Sequence, residues 1–206
     1  MTTAELMIGG IVFGFLCVAL IDLAWFTWRL GIGPASTPRS LRTSICVLLD
    51  QLLLLKENQL LKGDTECRRV IELGTGFGAL TYLLGQRYPS TPIVGYELSF
   101  SAWLISTLKT YGLRNVCMKR LALSEALNDL ETGDILYAYL CPQQMLQLKE
   151  SIQQRQGQSK IRQNDHSVDL SFILISLTFQ LPEWIPVFQQ PLGGIYRGIY
   201  VYSIKL

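Results

Sequence analysis

The segment from Arg68 to Glu97 constrains this chain more than any other. A short strand-forming run, RRVIEL, ends in Glu72-Leu73 and opens into Gly74-Thr75-Gly76-Phe77-Gly78. The helix-forming GALTYLLGQRY follows, and then a second strand-like run, TPIVGYEL, which contains Gly95-Tyr96-Glu97. Glycines without a Cβ let the backbone turn tightly and approach a ligand, and the helix that follows presents free N–H groups at its N-terminus. Glu72 is placed to hold the ammonium of an amino-acid moiety. Glu97, nineteen residues beyond Gly78, stands where a carboxylate accepts both hydroxyl protons of an adenosine ribose. Taken singly, these features describe a tight turn and a surface charge. Together, in strand-loop-helix-strand order, they predict an adenosine-containing ligand.

The same alternation continues downstream. SAWLISTLKTYG reads as a helix, NVCMKRL as a strand, DILYAYL as a strongly apolar strand and PQQMLQLKESIQQ as a helix. A polar run from Arg155 to Asp165 reads as a surface loop, and the strands DLSFILIS and IYRGIYVYSIKL complete the chain. Upstream, Thr37-Pro38 has the form of an N-cap followed by proline at the first helical position. The helix it opens carries Leu41, Ile45, Leu48, Leu49, Leu52 and Leu55 on its apolar face, runs to about Gln59 and is closed by Lys62-Gly63-Asp64. Apolar strands alternating with helices predict an α/β fold. It is a doubly wound, mainly parallel sheet covered on both faces, with its ligand site at the strand carboxyl ends.

Before this domain, Leu6 to Trp25 (LMIGGIVFGFLCVALIDLAW) is almost wholly apolar. At about 1.5 Å per residue it spans a hydrocarbon core of about 30 Å. Glu5 and the absence of an early lysine or arginine argue against a cleaved signal peptide, so the helix reads as an uncleaved anchor. Arg29, Arg39 and Arg42 follow it, which puts the rest of the chain on the cytoplasmic or mitochondrial-matrix side. Asp22, about one turn from the helix end, reads as a polar group satisfied by snorkelling or by a partner helix. Trp25 and Trp28 read as interface residues. The expected organisation is an anchor over residues 1–30, a Gly/Pro linker over 31–37 and a ligand-binding domain over 38–206.

Composition closes off other classes. A net charge of +2 from 18 basic and 16 acidic residues lacks the basic field of a nucleic-acid binder. Five scattered cysteines suit reduced thiols, with neither a zinc site nor a disulfide framework. His166, the sole histidine, lies in a polar stretch and reads as a solvated loop residue. No metal is expected.

Gly74-x-Gly76-x-x-Ala79 also satisfies a dinucleotide fingerprint, so NAD is the competing ligand. Glu72 before the glycines, Gly78 in addition to Gly76, and a domain too short for a separate substrate lobe favour S-adenosylmethionine. The constellation resembles motif I and the following acidic motif of class I, seven-stranded methyltransferases, which implies a Rossmann-like fold. It further implies that Glu72, Gly74, Thr75, Gly76, Gly78, Glu97 and Leu98 bind cofactor. Beyond that superfamily, most of the chain resembles the membrane-anchored protein lysine methyltransferases typified by the mitochondrial enzymes acting on the adenine nucleotide translocase and the ATP synthase c-subunit. The resemblance covers the apolar helix, Ser36-Thr37-Pro38, the glycine loop, Gly95-Tyr96-Glu97-Leu98, Cys141-Pro142-Gln143-Gln144-Met145 and Leu181-Pro182-Glu183-Trp184. It implies a lysine of a membrane protein as acceptor. The chain departs from that family at Glu72, where aspartate is usual, at Phe77-Gly78-Ala79, where Asp-Gly-Arg is usual, and at Ser99, where asparagine is usual. Arg120 stands where an acidic residue often receives the adenine amino group, with Ser124 and Glu125 as substitutes nearby.

Methyl transfer from a sulfonium requires alignment more than acid-base chemistry. Tyr139 and Pro142, at the carboxyl end of the fourth strand, are the candidates for positioning the acceptor. Packing on a buried strand is the competing account of both Tyr137 and Tyr139. Trp184 is a candidate wall of the acceptor channel. Two alternatives accompany the membrane-protein lysine: a lipid or small hydrophobic acceptor, and a cofactor-binding scaffold without turnover, motivated by Phe77, Ala79, Ser99 and Arg120.

Overall fold

The computed structural model describes residues 2–30, 36–55, 68–162, 170–194 and 196–206. The expected linker residues 31–35, the helix end at 56–59, Lys62-Gly63-Asp64, Cys67 and His166 lie outside them. Four β-α units come first in the sheet: β1 (Val70–Leu73), α3 (Ala79–Arg87), β2 (Ile93–Tyr96), α4 (Phe100–Thr110), β3 (Val116–Lys119), α5 (Leu123–Ala126), β4 (Ile135–Ala138) and α6 (Pro142–Arg162). β5 (Ser171–Leu177), β6 (Phe188–Pro191) and β7 (Gly198–Lys205) follow. Two helices precede the sheet, α1 (Thr3–Leu30) and α2 (Arg39–Leu55).

The strand order is β3-β2-β1-β4-β5-β7-β6. The first five strands are mutually parallel, while β7 runs antiparallel between β5 and β6. Alternate strand residues feed two cores, as period-two geometry requires. Ile71, Leu136 and Leu174 face α6 through Met145, Leu148 and Ile152. Val70, Ile135 and Ile173 face α2 and α3 through Ile45, Leu49, Leu80 and Leu84. The expected doubly wound, mainly parallel sheet covered on both faces is therefore present, and its winding reverses between β1 and β4, where such sheets bind ligands.

The local readings fare differently. Thr37 is not the cap of α2, because its hydroxyl lies 2.9 Å from the Tyr137 hydroxyl. Both residues are buried, so each supplies the hydrogen bond the other needs. The Pro38 carbonyl accepts from Leu41 N and Arg42 N instead, and the helix starts at Arg39. The expected loop from Arg155 is helical as far as Arg162. No proline interrupts the run, and its side chains find partners: the Arg155 guanidinium donates to the Leu127 carbonyl, and Gln156 Nε2 to the Lys205 carbonyl at 2.7 Å. Strand β6 was not expected, since all four of its residues are exposed and one is proline, a composition confined to sheet edges.

Helix α1 is the only described helix long and apolar enough to cross a membrane, over Thr3–Trp28. It also touches the domain, through α4. Helix α4 buries small polar or compact residues, Ser101, Ala102, Ser106 and Thr110, and leaves Ile105 and Leu108 exposed. At Ser106 the small side chain is required by close packing on Gly78 of the glycine loop, where a Cβ would lie 2.6 Å from Ser106 Cβ.

Candidate cofactor and acceptor site

The parallel register pairs Leu73 with both Tyr96 and Ala138. The next residues, Gly74, Glu97 and Tyr139, therefore leave the sheet at one level, and all three line a single cavity of about 580 Å³. Its walls come from the loop after β2 (Leu98, Ser99), the segment after β3 (Leu121 to Ser124), the end of β4 with α6 (Leu140, Cys141, Gln143, Gln144, Gln147), and Phe179 after β5.

The glycine loop is built against this cavity. Gly74 has φ +71°, and a Cβ there would lie 2.9 Å from Leu140 Cδ2, so a side chain would be both strained and in collision. Gly76 N donates to Glu97 Oε2 at 2.8 Å, while Leu98 N and Ser99 N donate to Glu97 Oε1 at 2.8 and 2.9 Å. Burial raises the Glu97 carboxyl's proton affinity, and these three N–H groups oppose the rise by favouring the anion. A carboxylate has about four lone-pair positions, so Glu97 keeps capacity to accept from a ligand hydroxyl.

The other expected cofactor residues lie behind that wall. Glu72 is fully buried and accepts from the Thr81 hydroxyl at 2.5 Å. Desolvation pushes its carboxyl up to about 8, with the Thr81 hydrogen bonds and the Arg42 charge acting the other way. Thr75 is buried and donates through its N–H to the Tyr96 carbonyl at 3.1 Å. Gly78 sits at φ +68° before α3. Gly74, Glu97 and Leu98 thus face the cavity, while Glu72, Thr75, Gly76 and Gly78 shape the loop from beneath.

At the carboxyl end of β4 the two tyrosines separate. Tyr137 is fully buried against Thr37, whereas Tyr139 is half-buried and lines the cavity. Burial raises the Tyr139 phenol, so it stays a neutral hydroxyl. Pro142 is exposed at the first position of α6, where its missing N–H costs nothing, between the cavity residues Cys141 and Gln143. Trp184 packs against the α6-side core and is not in the cavity wall; Phe179 is. Ser124 is also in the wall, but Glu125 turns back to accept from Ala122 N at 3.0 Å. Arg120 donates to the Leu98 carbonyl at 3.3 Å and lies over the Phe100 ring.

Sequence reasoning missed Phe26, Phe179 and the polar stripe of α6. The stripe had a visible signal, since Gln143, Gln147, Glu150 and Ser151 recur at helical spacing and all line the cavity. Phe26 had none, being one apolar residue in an apolar helix.

This strand order, with an antiparallel seventh strand, a glycine loop after β1 and an acidic residue after β2, defines the Rossmann-like fold of methyltransferases. Comparison with solved structures agrees. An RNA methyltransferase from Salinibacter ruber, in complex with S-adenosyl-L-homocysteine, superposes with a TM-score of 0.52 at 16% identity, over 82% of this chain and 94% of that one. The bifunctional kinase-methyltransferase WbdD gives 0.56 at 12% identity, over 85% of this chain and 41% of its own. The likeness therefore spans less than half of WbdD. At these identities the likeness is one of fold. No protein-family model and no curated protein matches the sequence.

Proposed function

We propose that this protein is an S-adenosylmethionine-dependent methyltransferase, held at a membrane by α1, that methylates a lysine of a membrane protein. The observation that carries the reading is the convergence of Gly74, Glu97 and Tyr139 on one cavity at the switch point of the sheet. The cavity's volume suits a cofactor. Glu97 retains acceptor capacity for a ribose hydroxyl, Leu98, Leu121 and Leu123 provide apolar walls for a flat base, and the Ser124 hydroxyl is available to a base edge.

Bound there, S-adenosylmethionine supplies a methyl group on a sulfonium that departs as a neutral thioether. The chain's own task is to present a neutral amine in line. A free lysine holds its proton to about pH 10.4, and desolvation between Tyr139, Leu140 and Phe179 favours the neutral form. Tyr139, uncharged, orients the amine by accepting one of its N–H groups, and the amine's proton leaves to solvent. The α6 wall of Gln143, Gln147 and Glu150 suits a lysine-bearing peptide better than a lipid chain. Tethering by α1 raises the concentration of membrane-embedded acceptors.

A radiolabelled-methyl assay on membranes, with Glu97→Ala as control, tests the reading, together with calorimetric titration of S-adenosylhomocysteine and NAD. We expect label in a membrane protein with the native chain, none with the variant, and methyl-lysine by mass spectrometry. Cofactor binding without transfer under any condition would mean a scaffold. Affinity for NAD alone would overturn the ligand.

A further inference from the structure

Asp22 is the one ionisable carboxylate in the apolar run of α1, and it is not left to the lipid. Its Oδ2 accepts from the Ser99 hydroxyl at 2.6 Å and from Ser101 N at 3.0 Å. Ser99 is the N-cap of α4, and its oxygen also accepts from Ala102 N at 3.3 Å. Asp22 thus satisfies, from a different helix, one of the N–H groups that a helix start leaves unpaired, and it fixes the rotamer of the cap itself.

The turn held in this way is the one that carries the ligand-facing carboxylate. Ser99 N and Leu98 N both donate to Glu97 Oε1, so a short covalent and hydrogen-bonded path joins Asp22 to Glu97. One turn further along α1, Phe26 is buried and lines the same cavity as Leu98 and Ser99. The anchor helix therefore meets the cavity through Phe26 and the turn that borders it through Asp22.

We propose that the last turns of α1 complete the cofactor pocket, with Phe26 as part of its wall and Asp22 as a positioning residue for the turn from Glu97 to Ser101. The proposal rests on the reading of the cavity as an S-adenosylmethionine site. It gives the helix a role in ligand binding beyond attachment. Ser99, where the resembling family has asparagine, is here the partner of Asp22. Seating of the helix and loading of cofactor are then coupled, since each orders the same turn.

The test uses the full chain in lipid nanodiscs, titrated calorimetrically with S-adenosylhomocysteine. Asp22→Leu removes both acceptor contacts without adding any obstacle to membrane insertion. Because hydrogen bonds to a charged group are the strong ones, its affinity should fall at least about tenfold. Asp22→Asn keeps an oxygen that accepts from both donors, so it should restore affinity to within about threefold of the native chain. Phe26→Ala, which leaves the polar contacts intact, should lose about fivefold or more through its truncated apolar wall. The ligand-free unfolding midpoints report whether each variant is folded, and the leucine-asparagine contrast separates positioning from general damage. Native affinity in both Asp22→Leu and Phe26→Ala would overturn the proposal and leave the cofactor reading standing. A native chain that does not bind S-adenosylhomocysteine would bring down both.

Discussion

Gly78 is pressed directly against Ser106: a Cβ on Gly78 would lie 2.6 Å from Ser106 Cβ and 2.9 Å from Ser106 Cα. The glycine loop and α4 are locked together there. A Gly78→Ala chain meets this collision and also carries an L side chain at φ +68°. Left-handed strain costs about 1–2 kcal/mol and overpacking about 1–3 kcal/mol, so a loss of about 2–5 kcal/mol is expected. For a domain of this size the unfolding midpoint should fall by at least about 5 °C. Adding Ser106→Gly takes away the side-chain half of the clash but leaves the backbone half and the strain, so recovery should be partial. Full recovery would show that the strain is negligible.

Arg69 and Asp134 form the best-shielded ion pair among the described residues. Arg69 Nε and Nη2 each reach the carboxylate at 3.0 Å, and the Asp134 side chain has no exposed surface. The pair fastens the start of β1 to the start of β4, at the opposite end of the sheet from the cavity. Arg69→Met leaves a buried carboxylate without its guanidinium, a change that costs about 3–5 kcal/mol. Denaturant titration should show that loss, with S-adenosylhomocysteine affinity in the folded fraction unchanged. The double variant Arg69→Met/Asp134→Leu should recover much of the stability, because no charge is then stranded.

The sequence disclosed most where backbone geometry left no choice. The loop from Gly74 to Gly78 was legible because positive φ and close approach demand glycine, and the central strands because apolar runs buried on both faces contain little else. Its failures have physical causes too. The end of α6 is polar enough to pass for a loop, yet Arg155 and Gln156 are tied to backbone carbonyls on neighbouring segments. Strand β6 buries nothing, so hydropathy could not mark it. Tyr137 and Tyr139 were inseparable by alternation, because strand β4 ends at Ala138 and Tyr139 already belongs to the loop. Phe26 reaches the cavity wall only through the docking of α1, which is a tertiary fact.

The buried Glu72 carboxyl sets a pH dependence of known sign. Its proton affinity rises from an ordinary 4.5 to about 8 in the folded chain. Between those values the native state holds a proton that the unfolded state has released, so this group's contribution falls as pH rises through that window. Glu72→Gln keeps an acceptor for the Thr81 hydroxyl and cannot ionise. The unfolding midpoint of the native chain should therefore drop relative to the variant from pH 4.5 to pH 8, leaving Glu72→Gln the more stable near the upper end. Parallel profiles would show that Glu72 ionises in the folded protein as it does in water.

Tyr137 and Tyr139 should respond oppositely to the same loss of an oxygen. Tyr139 lines the cavity with a neutral hydroxyl, so Tyr139→Phe removes the acceptor proposed for the amine while leaving the apolar wall in place. Bonds to charged or developing-charge groups are worth about 1.5–3 kcal/mol, which corresponds to a methyl-transfer rate lower by about ten- to a hundredfold. S-Adenosylhomocysteine affinity should stay within about twofold, because the residues that suit the cofactor are elsewhere. In Tyr137→Phe the rate should hold and stability should fall by about 1–3 kcal/mol, since the buried Thr37 hydroxyl loses its partner at 2.9 Å. Single-turnover rates, calorimetric affinities and unfolding midpoints on both variants separate the two roles. Equal rate losses would place both residues in structural support, and no rate loss at Tyr139 would remove it from acceptor positioning.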